Sequence, residues 1–142
     1  MLSVMPRDPG REAWGLVFEL AMENRARLLD ALEQLDLTFM QAHVLRLLDP
    51  ATPRPMGDLA EVLKCDASNI TGIVDRLEAR GLVERRSAPG DRRVKALAPT
   101  PAGLEMRERV LHAMQRPPAA IQALALQDKR ALRDILRRAV AS

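Results

Sequence analysis

Hydrophobic positions along the chain change period twice, and each change marks a different kind of element. Trp14, Phe18, Ala21, Arg25, Leu28, Leu32 and Leu35 are spaced 4, 3, 4, 3, 4, 3, which predicts one long helix before Leu37 with a heptad-like seam carrying a single charged residue, Arg25. From Thr38 to Gly81 the pattern breaks into three short helical segments. The first runs from about Thr38 to Leu48: Thr38 and Gln41 have the spacing in which each side chain satisfies a free backbone N–H of the other, and Asp49-Pro50, then Pro53 and Pro55, end it. The second covers roughly Met56 to Leu63, with Leu59, Ala60 and Leu63 turned inward, and Lys64-Cys65-Asp66 is a tight turn. Asp66 caps the third, which runs to about Arg80 and stops at Gly81, where a left-handed residue is needed.

After Gly81 the helical period gives way to a ribbon. Leu82 to Lys95 reads L-V-E-R-R-S-A-P-G-D-R-R-V-K: two short runs mixing Val or Leu with Arg or Lys, joined by the turn Pro89-Gly90-Asp91. Thr100-Pro101 then opens a helix with a cap and a first-turn proline, Pro117-Pro118 ends or kinks it, and a last helix spans about Asp128 to Val140. Ala131, Leu132, Ile135, Leu136 and Ala139 give that last helix an apolar stripe flanked by Lys129, Arg130, Arg133, Arg137 and Arg138. The fold expected is mainly α with a small β-hairpin wing: a winged helix-turn-helix with helices before and after it.

Charge adds a direction. Between Arg76 and Lys95 there are seven cationic side chains (Arg76, Arg80, Arg85, Arg86, Arg92, Arg93 and Lys95) against three carboxylates, so this segment carries +4 in a chain whose net charge is +3. Such concentration on one hairpin and the helix before it suits a nucleic-acid partner, although a solvated hairpin with ordinary surface arginines has the same composition. The third helix separates the two readings. Ile70, Ile73, Val74 and Leu77 recur on one face, leaving Ser68, Asn69, Thr71, Gly72, Asp75 and Arg76 on the others. Small hydrogen-bonding residues in its first two turns suit a recognition helix whose N-terminal residues reach base edges in the major groove, which makes Ser68, Asn69 and Thr71 candidates. Ser68 and Asn69 also stand where they would support the helix start beside Asp66. Gly72 either permits a close approach or is a tolerated weakness, since an interior helical glycine costs about 1 kcal/mol relative to alanine.

The run L-T-F-M-Q-A-H-V-L-R-L-L, then D-L-A-E-V-L, then S-N-I-T-G-I-V-D-R-L-E-A-R-G-L-V-E-R-R, then D-R-R-V-K and T-P-A-G, resembles the MarR family of winged-helix transcriptional regulators. The match is densest from Leu37 to Gly103, and its most specific parts are D-R-L-E-x-x-G-L-V-E-R at Asp75–Arg85 and D-x-R at Asp91–Arg93. The resemblance implies a homodimer on double-stranded DNA, with a recognition helix in the major groove, a wing along the minor groove, and N- and C-terminal helices forming the dimer. It divides the chain into 1–36 (dimerisation helix), 37–100 (DNA-binding domain) and 101–142 (dimerisation helices). By position, Asp91 would brace the wing by pairing with Arg93 or a nearby arginine, Arg92 or Arg93 would enter the minor groove, and Arg76, Arg85, Arg86 and Lys95 would mostly meet phosphates, which supply affinity and salt dependence. Met56 where relatives usually have a Ser or Thr cap, Gly72 where they usually have a side chain, and Pro99 in place of a common strand Leu depart from the pattern.

The apolar stripes on the terminal helices are under-covered in a monomer of this size, and together with the resemblance they favour a dimer over an intrachain bundle. The family also implies a small aromatic or anionic effector bound between the dimer helices and the wing domain. Arg25, His43 and Trp14 are its candidate contacts here, with a salt bridge or snorkelling for Arg25, a satisfied helix histidine for His43 and a core role for Trp14 as the structural alternatives.

Other classes find little support. M-L-S-V-M-P-R-D-P-G lacks the apolar core of a signal peptide and no apolar run approaches the ~20 residues of a membrane span, so a cytoplasmic protein without membrane partner is expected. One cysteine, Cys65, cannot form an internal disulfide; in the helix-turn-helix turn it is a packing residue or a redox-sensitive one. With two histidines, no clustered Cys or His and no Gly-rich or nucleophile motif, neither an enzyme nor a metal or cofactor is expected. The alternative of another class is a winged-helix module for protein–protein interaction, its basic wing meeting an acidic partner.

Overall fold

Capping chemistry starts the helices where the sequence predicts. In the computed structural model, which describes residues 8–88 and 90–142, Thr38 Oγ1 accepts the Gln41 N–H (3.2 Å) and Gln41 Oε1 accepts the Thr38 N–H (3.0 Å), opening α2, Phe39–Leu47. Before it runs α1, Pro9–Gln34; after it come β1 (Arg54–Pro55), α3 (Met56–Leu63), α4 (Ala67–Ala79), β2 (Val83–Ala88), β3 (Asp91–Pro99), α5 (Pro101–Gln115), α6 (Ala119–Gln122) and α7 (Leu126–Val140). Residues 1–7 of the N-terminal stretch read as lacking a signal peptide, and Pro89 of the predicted turn, lie outside the described residues.

Two compact units divide the chain, and the boundary falls within α1: one comprises the residues up to Arg25 with Arg116–Ser142, the other Ala26–Gln115. The second unit is the winged helix. Its core joins Leu32 of α1, Val44 and Leu45 of α2, Leu59 of α3, Ile70, Val74 and Leu77 of α4, Leu97 of β3 and Val110 of α5, all but Ile70 fully buried. Each such aliphatic side chain contributes on the order of 1.5–3 kcal/mol on burial, so the predicted inward faces of α3 and α4 are what hold the unit together.

The sheet is larger than the predicted hairpin. Its three antiparallel strands lie in the order β1-β3-β2, with Val83 opposite Pro99, Arg86 opposite Ala96 and Ser87 opposite Lys95, then an irregularity before Ala88 meets Asp91. β1 adds the pairs Arg54–Leu97 and Pro55–Ala96. Read only as helix-ending signals, Pro53 and Pro55 conceal this strand; a proline is admissible there because β1 is an edge and its missing N–H breaks no ladder. β3 also continues past Lys95, and Ala96 to Pro99 are buried. Pro99 thus closes the ladder at the wing root, opposite Val83.

The root of the wing is fixed to α5 by the T-P-A-G run. The Thr100 hydroxyl donates to Gly81 O (2.6 Å) and accepts the Gly103 N–H (3.0 Å), while the Thr100 N–H donates to Leu82 O (3.1 Å). Gly81 has φ +71°, the left-handed geometry predicted for the end of α4, and Gly90 at the wing tip has φ +82°.

In the first unit neither α6 nor α7 buries a residue. Of the predicted seam, Leu32 is buried and Leu28 and Leu35 are half-buried, whereas Trp14 (67% exposed) and Phe18 (52%) are open, as are Leu126 (63%), Ile135 (53%) and Val140 (85%). α6 has no counterpart among the predicted elements, and α7 begins two residues ahead of the predicted Asp128.

Candidate nucleic-acid interface

The helix-turn-helix turn presents α4 with its polar faces outward. Lys64 adopts the left-handed conformation (φ 51°, ψ 42°) that ends α3. Asp66 then caps α4: its Oδ1 accepts the Asn69 N–H (3.0 Å) and the Ser68 hydroxyl (3.2 Å). The Thr71 hydroxyl turns back onto Ala67 O (2.8 Å). Ser68, Asn69, Thr71, Gly72, Asp75 and Arg76 are all exposed, and an added Cβ on Gly72 would meet no atom within 4 Å. α3, which starts at Met56 behind Pro55, has no side-chain cap.

The arginines of the segment divide into two groups. Arg85 is clasped from α4: its Nη2 lies 2.5 Å from Asp75 Oδ1 and its Nη1 2.8 Å from Glu78 Oε1. These bonds, that to Asp75 foremost, raise the Arg85 pKa above its usual value against the opposing effect of burial. Arg86 pairs with Glu84 on its own strand, Nε to Oε1 2.6 Å. Arg80 reaches back to the loop before α2, its Nη1 donating to Asp36 O (2.5 Å) and its Nη2 to Leu35 O (3.2 Å), and so supports Asp36 in a left-handed conformation (φ 54°). By contrast, Arg76, Arg92, Arg93 and Lys95 are exposed and have no hydrogen-bonded or ionic side-chain partner among the described residues.

Among the predicted site residues, Arg85 and Asp91 are engaged in ways that the sequence does not specify. Arg85 is engaged by two carboxylates of its own chain rather than free for phosphate. Asp91 braces the wing through the main chain: its Oδ1 accepts the Arg93 N–H (2.9 Å), a local turn bond that leaves the Arg93 guanidinium unpaired. The sequence marks Arg80 only as one of the segment's cations and does not pair Arg85 with Asp75 and Glu78, though the three-residue spacing of those carboxylates places both on one flank of a helix.

Of the expected pocket residues, Trp14 and Arg25 belong to the first unit and are exposed, and His43 belongs to the second. His43 stacks on Phe39 (ring centroids 5.8 Å apart, 15° between planes) with Arg46 Nη2 3.5 Å from its ring nitrogens. Burial first, and the Arg46 charge second, lower its pKa from the ordinary 6.5. Within the second unit, a cleft of about 460 Å³ lies between the loop before α2 and α4, lined by Asp36, Thr38, Gln41, Arg76 and Arg80 among others. Cys65 is half-buried against the core. Among the described residues no three His, Cys, Asp or Glu side chains gather to hold a metal, and no helix is long and apolar enough to cross a membrane.

Residues 35–94, which span the loop before α2 through the wing tip, match the model of the MarR family. Over that segment the chain is similar to the MarR family. Over 85 residues the chain is 38% identical to the uncharacterised HTH-type transcriptional regulator YfiV of Bacillus subtilis, covering 58% of this chain and 52% of that protein. The chain thus spans about half the length of this curated relative. Beyond the matched residues the likeness is one of fold: the structure is similar to that of wild-type MarR of E. coli in its apo form (TM-score 0.72, 24% identity, 95% of this chain and 98% of that one). It is also similar to a mutant of S. aureus MepR bound to an oligodeoxyribonucleotide (TM-score 0.65, 21% identity, 91% and 96%).

Proposed function

We propose that this chain is a DNA-binding transcriptional regulator, a homodimeric repressor that places α4 in the major groove of a pseudo-palindromic operator and β2–β3 along the adjacent minor groove. The observation that carries this reading is the division of the basic residues. Arg80, Arg85 and Arg86 are used inside the unit, whereas Arg76 on α4 and Arg92, Arg93 and Lys95 on β3 are left exposed without a carboxylate. Unpaired cations on a recognition helix and a wing are what phosphate neutralisation and minor-groove insertion require. The DNA-bound MepR relative supports the same partner. A DNA partner agrees with the cytoplasmic location expected from the sequence.

Dimerisation rests on the open apolar side chains of the first unit. Trp14, Phe18, Leu126, Ile135 and Val140 are each more than half exposed, and side chains of this size and number need a covering surface. A second copy supplies it, so Ile135→Glu is expected to reduce the dimer mass. An effector completes the reading: a cleft of about 410 Å³ between the end of α1 and α5 offers Ala31, Leu35 and Ala113 as apolar wall, with Gln34, Glu108, Arg109 and His112 as polar groups beside them, a lining that suits a small amphipathic molecule. His43 does not line it.

Selection of bound duplexes from a random pool at near-physiological salt, with the mass measured in the same preparation, tests the proposal. The expected result is an enriched palindrome with half-sites about one helical turn apart. A folded dimer that enriches nothing would overturn it in favour of a wing that meets an acidic protein.

A further inference from the structure

The first two turns of α4 do not offer three equivalent base-reading side chains. Ser68 gives its hydroxyl proton to Asp66 Oδ1 (3.2 Å) and Thr71 gives its own to Ala67 O (2.8 Å). A hydroxyl has one proton, so both present acceptor lone pairs outward and nothing to donate. Asn69 differs. Its main-chain N–H is what Asp66 holds (3.0 Å), and its side-chain amide makes no hydrogen bond among the described residues although it is exposed. It therefore keeps a carbonyl acceptor and an NH2 donor side by side.

That pair is complementary to one base edge. In the major groove adenine shows an N7 acceptor beside an N6 donor, the combination an asparagine amide meets with two hydrogen bonds; guanine shows two acceptors, cytosine a donor, and thymine an acceptor and a methyl group. The position also suits the task, since Asn69 lies in the first turn of the helix, and residues there reach base edges. On the same flank, three and seven residues on, stand Gly72, with open space where a side chain would be, and the unpaired Arg76. The opposite flank, carrying Asp75 and Glu78, is turned to Arg85 of the wing strand. We infer that Asn69 is the base-reading residue of α4 and specifies an adenine in each half-site, with Gly72 leaving room for the base pair and Arg76 fixing the helix on the neighbouring phosphate. Ser68 and Thr71 serve the helix start.

This rests on the DNA-binding reading, and one experiment separates the two. Duplexes are selected from the same random pool by the wild-type full chain and by Asn69→Ala, Asn69→Asp, Ser68→Ala and Thr71→Val, each checked by circular dichroism for an unchanged fold. The Asp66 cap takes the main-chain N–H of residue 69, so the Asn69 variants keep the bond that starts the helix. The expected result is a wild-type motif with one adenine position per half-site. At that position alone Asn69→Ala becomes indifferent, losing about 10- to 100-fold of discrimination, and Asn69→Asp shifts toward cytosine, whose N4 amine needs an acceptor. Ser68→Ala and Thr71→Val should leave the motif as it was. An Asn69→Ala motif identical to the wild type, or a base preference that moves with Ser68 or Thr71 instead, would overturn the inference while leaving DNA binding intact. Failure of the wild type to enrich any duplex would overturn the reading beneath it.

Discussion

Arg85 on β2 reaches ten residues back to Asp75 on α4, the two side chains meeting at 2.5 Å, with Glu78 one turn further on holding the other guanidinium nitrogen at 2.8 Å. The wing and α4 are thereby joined by a fork of two charge-assisted bonds rather than by the chain turn at Gly81 alone. Because both carboxylates are substantially exposed, solvent screening keeps the contribution to stability to about 1 kcal/mol or less. The larger effect is geometric: with the fork intact, helix and wing would meet the proposed duplex in one relative orientation. Arg85→Ala should therefore lower operator affinity while leaving the slope of log affinity against log salt as in the wild type, because no phosphate contact is lost. Arg76→Ala should reduce that slope by about 1, the amount expected for one phosphate contact. Titrations of both variants at several salt concentrations make the comparison.

Gly103 admits no substitute for a backbone reason. A Cβ placed on it would lie 1.8 Å from the carbonyl oxygen of Leu82, and the obstacle is main chain, which cannot rotate away as a flexible side chain would. Gly103→Ala must push α5 off the wing root and disturb the Thr100 bonds to Gly81 and Leu82. Its cost should exceed the ~1–3 kcal/mol typical of overpacking in a core. Thr100→Val, which loses the two hydroxyl bonds but keeps the volume, should cost less, about 1–2 kcal/mol. Urea midpoints for the two variants and the wild type order them, and a Gly103→Ala protein as stable as the parent would refute the close approach.

How much of the molecule is legible in its sequence depends on the range of the interaction. Caps are local: Thr38 with Gln41, and Asp66 with the start of α4, act within three residues, so spacing alone locates them. The inward faces of α3 and α4 are legible for the same reason. β1 is not, because a two-residue edge strand has no period and its proline, like Pro53 before it, points to termination; only the distant partners Ala96 and Leu97 make it a strand. The site shows the same divide. Residue type and position mark the cationic side chains, but which of them are consumed internally depends on contacts seven to forty-five residues apart, at Arg85 with Glu78 and at Arg80 with Leu35. Charge counted along a sequence therefore overstates the free cations and conceals the structural ones.

His43 gives the winged-helix unit a pH dependence of definite sign. Burial and the nearby Arg46 lower its pKa from 6.5, so the folded chain favours the neutral ring more than the unfolded chain does. As pH falls through about 6.5 the unfolded state takes up the proton first. The contribution is thus fully present above that value, declines below it, and levels off once the pH passes under the folded-state pKa. Unfolding by urea at pH 7.5 and at pH 5.5 should show a larger loss of stability for the wild type than for His43→Gln, which has no ring to protonate. Equal losses would show that the imidazole is not the group responsible.

Gly72 is the position where stability and function should part. It sits inside α4, where glycine costs about 1 kcal/mol relative to alanine, and no atom of the chain lies within 4 Å of the place a Cβ would occupy. Nothing within the unit needs the space, in contrast to Gly103, and on the proposed binding mode the open flank is where a base pair approaches. Gly72→Ala should accordingly raise the unfolding free energy by about 0.5–1 kcal/mol, through the smaller conformational freedom of the unfolded chain, while weakening binding to the selected operator. Thermal melting and duplex titration of the same preparation read both quantities. A variant that is more stable and binds as tightly as the wild type would show that the open flank between Asn69 and Arg76 is not where the base pairs approach; one that is less stable would show that the helix itself needs the glycine.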